Sequence, residues 1–205
     1  MRPRDADSEQ THGRIMEAAR LLLEERGPDA VSLRGVARRA KMSVGTVSYY
    51  FSSREELVET CLDEHYQRLI AIASRHLDEL AAGKGLADVI RDAARELYFF
   101  AFSDRALIRL QLITHAERGG LRPERLQGFH AKLLRTISAR AGALITSPRP
   151  WLTIQALVYA VARFATASSE ERRLFTSAAT DHEANEVIAD HIADLAVRML
   201  SLLVF

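Results

Sequence analysis

The sequence predicts an all-α protein with a helix-turn-helix head at its N-terminal end and a bundle of longer helices behind it. Three observations carry this reading. Apolar residues recur at three- and four-residue spacing along most of the 205 residues, and no run alternates polar and apolar long enough to demand a sheet. The stretch from Ser32 to Arg54 packs two short helices, a three-residue turn and a fresh helix start into a segment free of Asp and Glu.

Residues 1–10, MRPRDADSEQ, are polar and of mixed charge, and they are expected to form a disordered arm. The alternative is a minor-groove arm carried by Arg2 and Arg4. Ile15, Ala18, Ala19 and Leu22 then fall at i, i+3, i+4 and i+7, one face of a helix that Gly27-Pro28 ends. A head domain is expected over 11–54. Within it Ser32 is placed to cap a helix from Leu33 to Ala40 whose apolar set is Val36, Ala37 and Ala40. Lys41, Met42 and Ser43 form the turn, Ser43 caps the second helix, and that helix runs from Val44 to about Phe51, so the motif spans 32–51. Val47 and Phe51, four apart, turn inward and leave Gly45, Thr46, Ser48 and Tyr49 outward. That outer face is small, hydroxylic and aromatic, which suits close approach to base edges in a major groove. Ser53-Arg54-Glu55-Glu56 is a capping box that starts the next helix sharply.

Charge follows the same division. Residues 30–54 hold Arg34, Arg38, Arg39, Lys41 and Arg54 and no acid, whereas the chain as a whole has 28 basic and 27 acidic residues. The remainder is therefore net acidic, and a polyanion would be drawn to one end. A merely solvated basic face is the alternative, and the flanking helix caps weigh against it.

A long helix is expected from Arg54 to about Leu80, with a break at Ala82-Gly83-Lys84-Gly85. Cys61 shares an apolar stripe with Val58, Leu62, His65 and Leu69, so it reads as packed rather than redox-active, and a lone cysteine excludes an internal disulfide. Further helices are expected at about 86–101, 104–118, 123–141, 150–167 and 181–204, the last launched by the capping box Thr180-Asp181-His182-Glu183. Residues 55–205 thus form a helical domain. The last two helices carry broad stripes, Leu152, Leu157, Val158, Val161 and Phe164 on one and Val187, Ile188, Ile192, Leu195, Met199 and Leu202 on the other. Such stripes by themselves indicate core.

At VGTVSYYFSSREELV the sequence resembles the recognition-helix signature of the TetR family of bacterial transcriptional regulators. The likeness extends upstream through Ile15-Met16-Glu17-Ala18-Ala19 and Gly27, covering about the first 65 residues. Three positions depart from it. Lys41 stands for a common turn Gly, Ser48 for a common Tyr and Arg54 for a common Lys. Lys41 is acceptable provided it need not adopt positive φ; Arg54 keeps the charge; Ser48 keeps a hydroxyl but loses the ring, with Tyr49 as the neighbouring replacement.

The resemblance implies a sequence-specific DNA-binding regulator, a repressor released from a palindromic operator by a small-molecule effector, with an activator of the same fold as the alternative. It implies DNA contacts at Arg34, Ser43, Val44, Gly45, Thr46, Ser48, Tyr49, Tyr50 and Arg54. Arg34 and Arg54 would hold phosphates, Tyr49 or Tyr50 would add hydroxyl contacts to the backbone, and Val44, Gly45, Thr46 and Ser48 would read base edges. It implies a homodimer through the last two helices, with Leu157, Val161, Phe164, Ile188, Ile192, Leu195 and Met199 at the interface. It also implies an effector pocket drawn from Phe99, Phe102, Leu110, Ile113, Phe129, Leu133, Trp151, Tyr159 and Arg163. Arg163, embedded in LVYAVARFA, reads either as a contact for an anionic ligand or as half of a salt bridge in the dimer interface.

Other classes lack their signatures. The seven histidines form neither an HExxH nor a close cluster, so no metal and no cofactor is expected. No phosphate-binding glycine loop or GxSxG elbow is present, which leaves an enzyme, or a helical carrier without DNA function, as the lesser alternative. No apolar run approaches the roughly 18 residues of a membrane span and no charged-plus-apolar leader opens the chain, so the cytoplasm is the expected location and no membrane partner is expected.

Overall fold

The computed structural model describes residues 3–27, 30–118 and 148–201. Its helices are α1 Pro3–Arg26, α2 Leu33–Ala40, α3 Val44–Tyr50, α4 Arg54–Ala81, α5 Leu86–Ser103, α6 Arg105–Arg118, α7 Pro148–Ala165, α8 Ser169–Thr176 and α9 Asp181–Ser201. No strand occurs among the described residues, so the all-α expectation holds. The helix expected at 123–141 lies outside them.

Two elements differ from expectation. The first ten residues, expected as a disordered arm, are helical from Pro3 onward. Proline at the first helical position has φ already set for the helix. The second difference is α8, which the sequence reading left unassigned. Ser168 caps it, accepting from the Glu171 backbone N–H at 3.1 Å, and the Ser168-Ser169-Glu170-Glu171 pattern is the capping-box signal that would have found it.

The helices pack around two apolar cores. In the head, Ile15, Ala19, Leu22 and Leu23 of α1 meet Val36 and Ala37 of α2, Val47 of α3, Phe51 and the start of α4 at Leu57, Val58, Cys61 and Leu62. Burial pushes the Cys61 thiol up to about 12, which suits packing and disfavours the reactive thiolate. The second core joins α5, α7 and α9 through Ala94, Tyr98, Ala101, Leu157, Ala162, Ala165, Ile188, Ala189, Ile192, Ala193 and Ala196. Its many alanines allow α5 and α9 to approach closely. Arg91–Asp194 at 2.6 Å and Arg95–Glu186 at 2.5 Å flank the contact, and the Tyr98 hydroxyl donates to buried Asn185 Oδ1 at 2.9 Å.

That core takes up part of the face expected at the dimer interface and leaves Val161, Phe164, Leu195 and Met199 half-buried. Leu157, Ile188 and Ile192 are buried within the chain, and Val161, Phe164, Leu195 and Met199 pack against the same core. A stripe of large residues marks a face that must be covered, and here α5 covers it. The large apolar residues left exposed on these helices are Leu152, Val158, Tyr159 and Val187.

Head and body meet at the start of α6. Leu107 belongs to the head core and the next residue, Ile108, to the body core. Asp104, at the α5–α6 corner, is buried with one carboxylate oxygen 2.8 Å from His65 Nδ1 and 2.5 Å from Arg68. His65 also stacks on Phe100, with ring centroids 4.8 Å apart. Arg105 reaches Glu24 of α1 at 3.3 Å. Burial alone would raise the Asp104 carboxyl, but the His65 hydrogen bond and the positive charges of Arg68 and Arg20 outweigh it and hold the group below the ordinary carboxylate range.

A lowered folded-state pKa means that ionised Asp104 contributes stability above its unfolded value, near 3.9, and that this contribution is lost as pH falls through the folded value. Asp104→Asn is expected to cost about 3 kcal/mol at pH 7, the lower end for a broken buried pair because Arg68 is half-exposed. It should also flatten the loss of stability below about pH 4. Urea unfolding midpoints from pH 2 to 7 check both outcomes.

Candidate nucleic-acid interface

The reading head is built by caps at both of its helices. Ser32 Oγ accepts from the Gly35 N–H at 3.0 Å to start α2. Gly35 is closely approached there, since a Cβ would sit 3.0 Å from the Ala30 carbonyl oxygen. At the other end of α2 the Met42 N–H reaches the Ala37 carbonyl at 2.9 Å, and Arg14 donates to the Ala40 carbonyl at 2.9 Å. This Schellman-type closure places Lys41 in the left-handed region at φ 55, ψ 48. The sequence-based condition that Lys41 avoid positive φ is therefore not met. A glycine belongs at this turn, and lysine takes the position under strain.

Ser43 then starts α3. Its Oγ accepts from the Thr46 N–H at 2.9 Å and lies 2.8 Å from Thr46 Oγ1. Ser43 is thus the cap of α3, and the Thr46 hydroxyl is oriented by it. Val47 is fully buried and Phe51 nearly so, as their spacing predicts. Val44, Gly45, Ser48 and Tyr49 are exposed on the opposite side, and Thr46 is half-buried. Tyr49 is 85% exposed, which makes it the most prominent ring on this face. Tyr50 is half-buried and its hydroxyl lies 3.1 Å from Ser8 Oγ of α1, so it faces the neighbouring helix as well as solvent.

The basic residues divide into two groups. Arg34, Arg38 and Lys41 are exposed. Arg39 pairs with Glu25 of α1 at 2.5 Å. Arg54, expected on phosphate, donates Nε to the Val31 carbonyl at 2.8 Å and lies 3.9 Å from Glu55, so part of its guanidinium holds the α1–α2 linker. The capping box at Ser53 is formed with one change. Glu56 N–H donates to Ser53 Oγ at 3.1 Å, while the Glu56 carboxylate accepts from the Ser52 N–H and hydroxyl at 2.7 and 2.6 Å. Those bonds lower the Glu56 carboxyl from its ordinary value.

Among the described residues, those expected in an effector pocket fall on different cores and surfaces. Phe99 and Phe102 pack on the body core and Leu110 on the head core. Ile113 and Tyr159 are exposed. Arg163 is exposed and forms an ion pair with Glu171 of α8, a partner within the chain that neither expected reading named. Phe129 and Leu133, and the side chain of Trp151, lie outside the described residues. Sequence spacing finds large residues but not which core each one enters. No helix among the described residues is long and apolar enough to cross a membrane, and they hold no group of three or more metal-ligating side chains.

An acid-free, doubly capped helix-turn-helix on a three-helix head defines a class of DNA-reading proteins. The family model for bacterial regulatory proteins of the tetR family matches residues 15–61. An HTH-type transcriptional regulator encoded in the dhlA 5′ region of Xanthobacter autotrophicus is 36% identical over 84 residues, 41% of each chain. The HTH-type transcriptional regulator UidR of Escherichia coli is 26% identical over 102 residues, 50% of each chain. The chain thus aligns with half or less of these relatives' lengths. Over the full fold it is similar to a Mesorhizobium loti protein described as a TetR-family transcriptional regulator, with a TM-score of 0.59, 21% identity and coverage of 95% and 97% of the two chains. Residues 15–61 therefore match the tetR family, and the fold is shared over nearly the whole chain.

Lys41→Gly relieves the left-handed strain at the turn and gives back part of that gain through the greater freedom of unfolded glycine. The expected net effect is a stabilisation of about 0.5–1 kcal/mol, or roughly 1–4 °C in melting temperature for a chain of this size. Thermal unfolding followed by circular dichroism measures it.

Proposed function

We propose that the chain is a transcriptional regulator that lays α3 in the major groove of operator DNA, acting as a homodimeric, ligand-released repressor in the cytoplasm. The observation that carries this reading is the split of α3 into a buried side, Val47 with the capping Phe51, and an exposed side of Val44, Gly45, Ser48 and Tyr49 inside an acid-free stretch. A helix held from behind and small in front can approach base edges closely. Arg34, exposed at the first turn of α2, is the clearer phosphate contact. Leu152, Val158 and Tyr159 of α7 with Val187 of α9 give the second protomer an apolar face to cover. Two related α3 helices would then meet successive major-groove faces of a palindrome. An effector acts by favouring the low-affinity arrangement of the two heads. The relatives are regulators, which supports a non-catalytic role.

Selection of bound duplexes from random DNA, followed by fluorescence anisotropy across a salt series, tests the reading. The parent should show steep salt dependence. Arg34→Ala should weaken binding to every sequence and reduce the salt slope by about 0.9. Thr46→Ala should leave the slope alone and change base preference in the selected sites. Salt-insensitive binding, or selection that yields no preferred sequence, would overturn the proposal.

A further inference from the structure

We propose that Ser8 and His12 of α1 are positioning residues for DNA recognition, holding Tyr50 so that the ring of Tyr49 is presented in a fixed orientation; this rests on the DNA-binding reading of α3. The segment concerned is the one whose sequence suggested a frayed arm. In the structure it is the N-terminal part of α1, and the Thr11 hydroxyl donates to the Asp7 carbonyl at 2.8 Å along the turn that carries Ser8.

A chain of ring contacts runs from the head core to the recognition surface. Phe51 is buried in the core, and the His12 ring lies tilted against it with centroids 5.4 Å apart. His12 meets Tyr50 edge-on at 6.2 Å. Tyr50 is also fixed at its far end, where its hydroxyl lies 3.1 Å from Ser8 Oγ. Tyr50 in turn meets Tyr49 edge-on at 5.3 Å with planes 87° apart. Edge-to-face geometry is favourable for aromatic rings and sets orientation as well as contact.

The arrangement matters because Tyr49 is otherwise bare. It is 85% exposed, and the adjoining Ser48 has no ring to support it. A free surface tyrosine would lose rotamer freedom on binding DNA, and a ring already held by its neighbour has lost that freedom beforehand. Ser8 and His12 therefore act through Tyr50 and need not touch DNA themselves.

The test uses the full chain and a duplex that the parent selects from random DNA, with binding read by anisotropy across a salt series. Ser8→Ala and Tyr50→Phe each remove one hydroxyl of the same bond. Each should weaken binding by about three- to tenfold, the net effect of one hydrogen bond, and the double variant should be no weaker than either single one. The salt slope should stay at the parent value, since no cation is lost. Tyr49→Ala should weaken binding in the parent and do so less in a His12→Ala background.

Additive losses, or a loss with Tyr50→Phe and none with Ser8→Ala, would overturn the proposal by showing that the Tyr50 hydroxyl meets DNA directly. A reduced slope in His12→Ala would make His12 a phosphate contact and equally overturn it. Parent-strength binding by all variants would refute the brace alone, whereas a parent that binds no duplex would refute the DNA-binding reading and the brace with it. Circular dichroism melts accompany each variant, and the two single-hydroxyl changes keep the test decisive if His12→Ala unfolds the head.

Discussion

Two consecutive side chains at the start of α6 tie the molecule together. Leu107 enters the core of the reading head and Ile108 enters the core of the helical body. Burying each contributes roughly 1.5–3 kcal/mol, so either could be lost only at a cost comparable to a good part of the molecule's net stability. Because the two are adjacent on one helix, α6 cannot shift relative to one core without shifting relative to the other. Asp104 reinforces this point from one turn earlier, with His65 and Arg68 of α4 on its carboxylate and Arg105 reaching α1 through Glu24. Head and body are therefore held through α1, α4 and α6 together, although the chain passes between them along α4.

The helix-turn-helix was legible because its signals are local. Ser32, Ser43 and Ser53 all cap the helices expected of them, and Val47 and Phe51 are buried as a four-residue spacing requires. Cap chemistry and helical period need only a few neighbouring residues. The body was legible as helices but not as partners. Leu157, Ile188 and Ile192 sit on stripes that any covering surface could satisfy, and it is packing with α5 through Ala94 and Ala101 that buries these three. The short helix α8 carried a capping box that went unread, and Arg163 finds its acid eight residues along the chain within that helix. The start of α1 was misread because composition describes an isolated terminus, whereas Tyr50 offers this one a partner 42 residues away.

Electrostatics follow the same distinction between local and distant neighbours. Five basic residues in an acid-free stretch suggest five cations free to meet a polyanion, but Arg39 is matched by Glu25 from α1 and Arg54 spends Nε on the Val31 carbonyl. The acid-free run was a statement about sequence, and folding brings acids and carbonyls to it from either side. Exposed and outside any ion pair among the described residues are Arg34, Arg38 and Lys41. This is a smaller charge, placed around α2 and the turn, where it can position a duplex while α3 supplies a nearly uncharged reading face.

The 28 residues of α4 span about 42 Å at 1.5 Å per residue, and this length separates two differently held ends. Its N-terminal turns are buried in the head core. Its C-terminal turns meet α5 through polar contacts, with buried His76 Nε2 2.7 Å from Glu96, and Lys84 beyond the helix bridges Glu79 and Asp92 at 2.8 and 2.7 Å. Apolar packing resists sliding because every displaced contact opens a gap, whereas exposed ion pairs contribute little and re-form after small movements. Between the ends, at His65 and Arg68, the buried Asp104 carboxylate fixes the helix against the α5–α6 corner. A rearrangement at the far end of α4 reaches α3 only if it also moves this corner, and with it Leu107 in the head core.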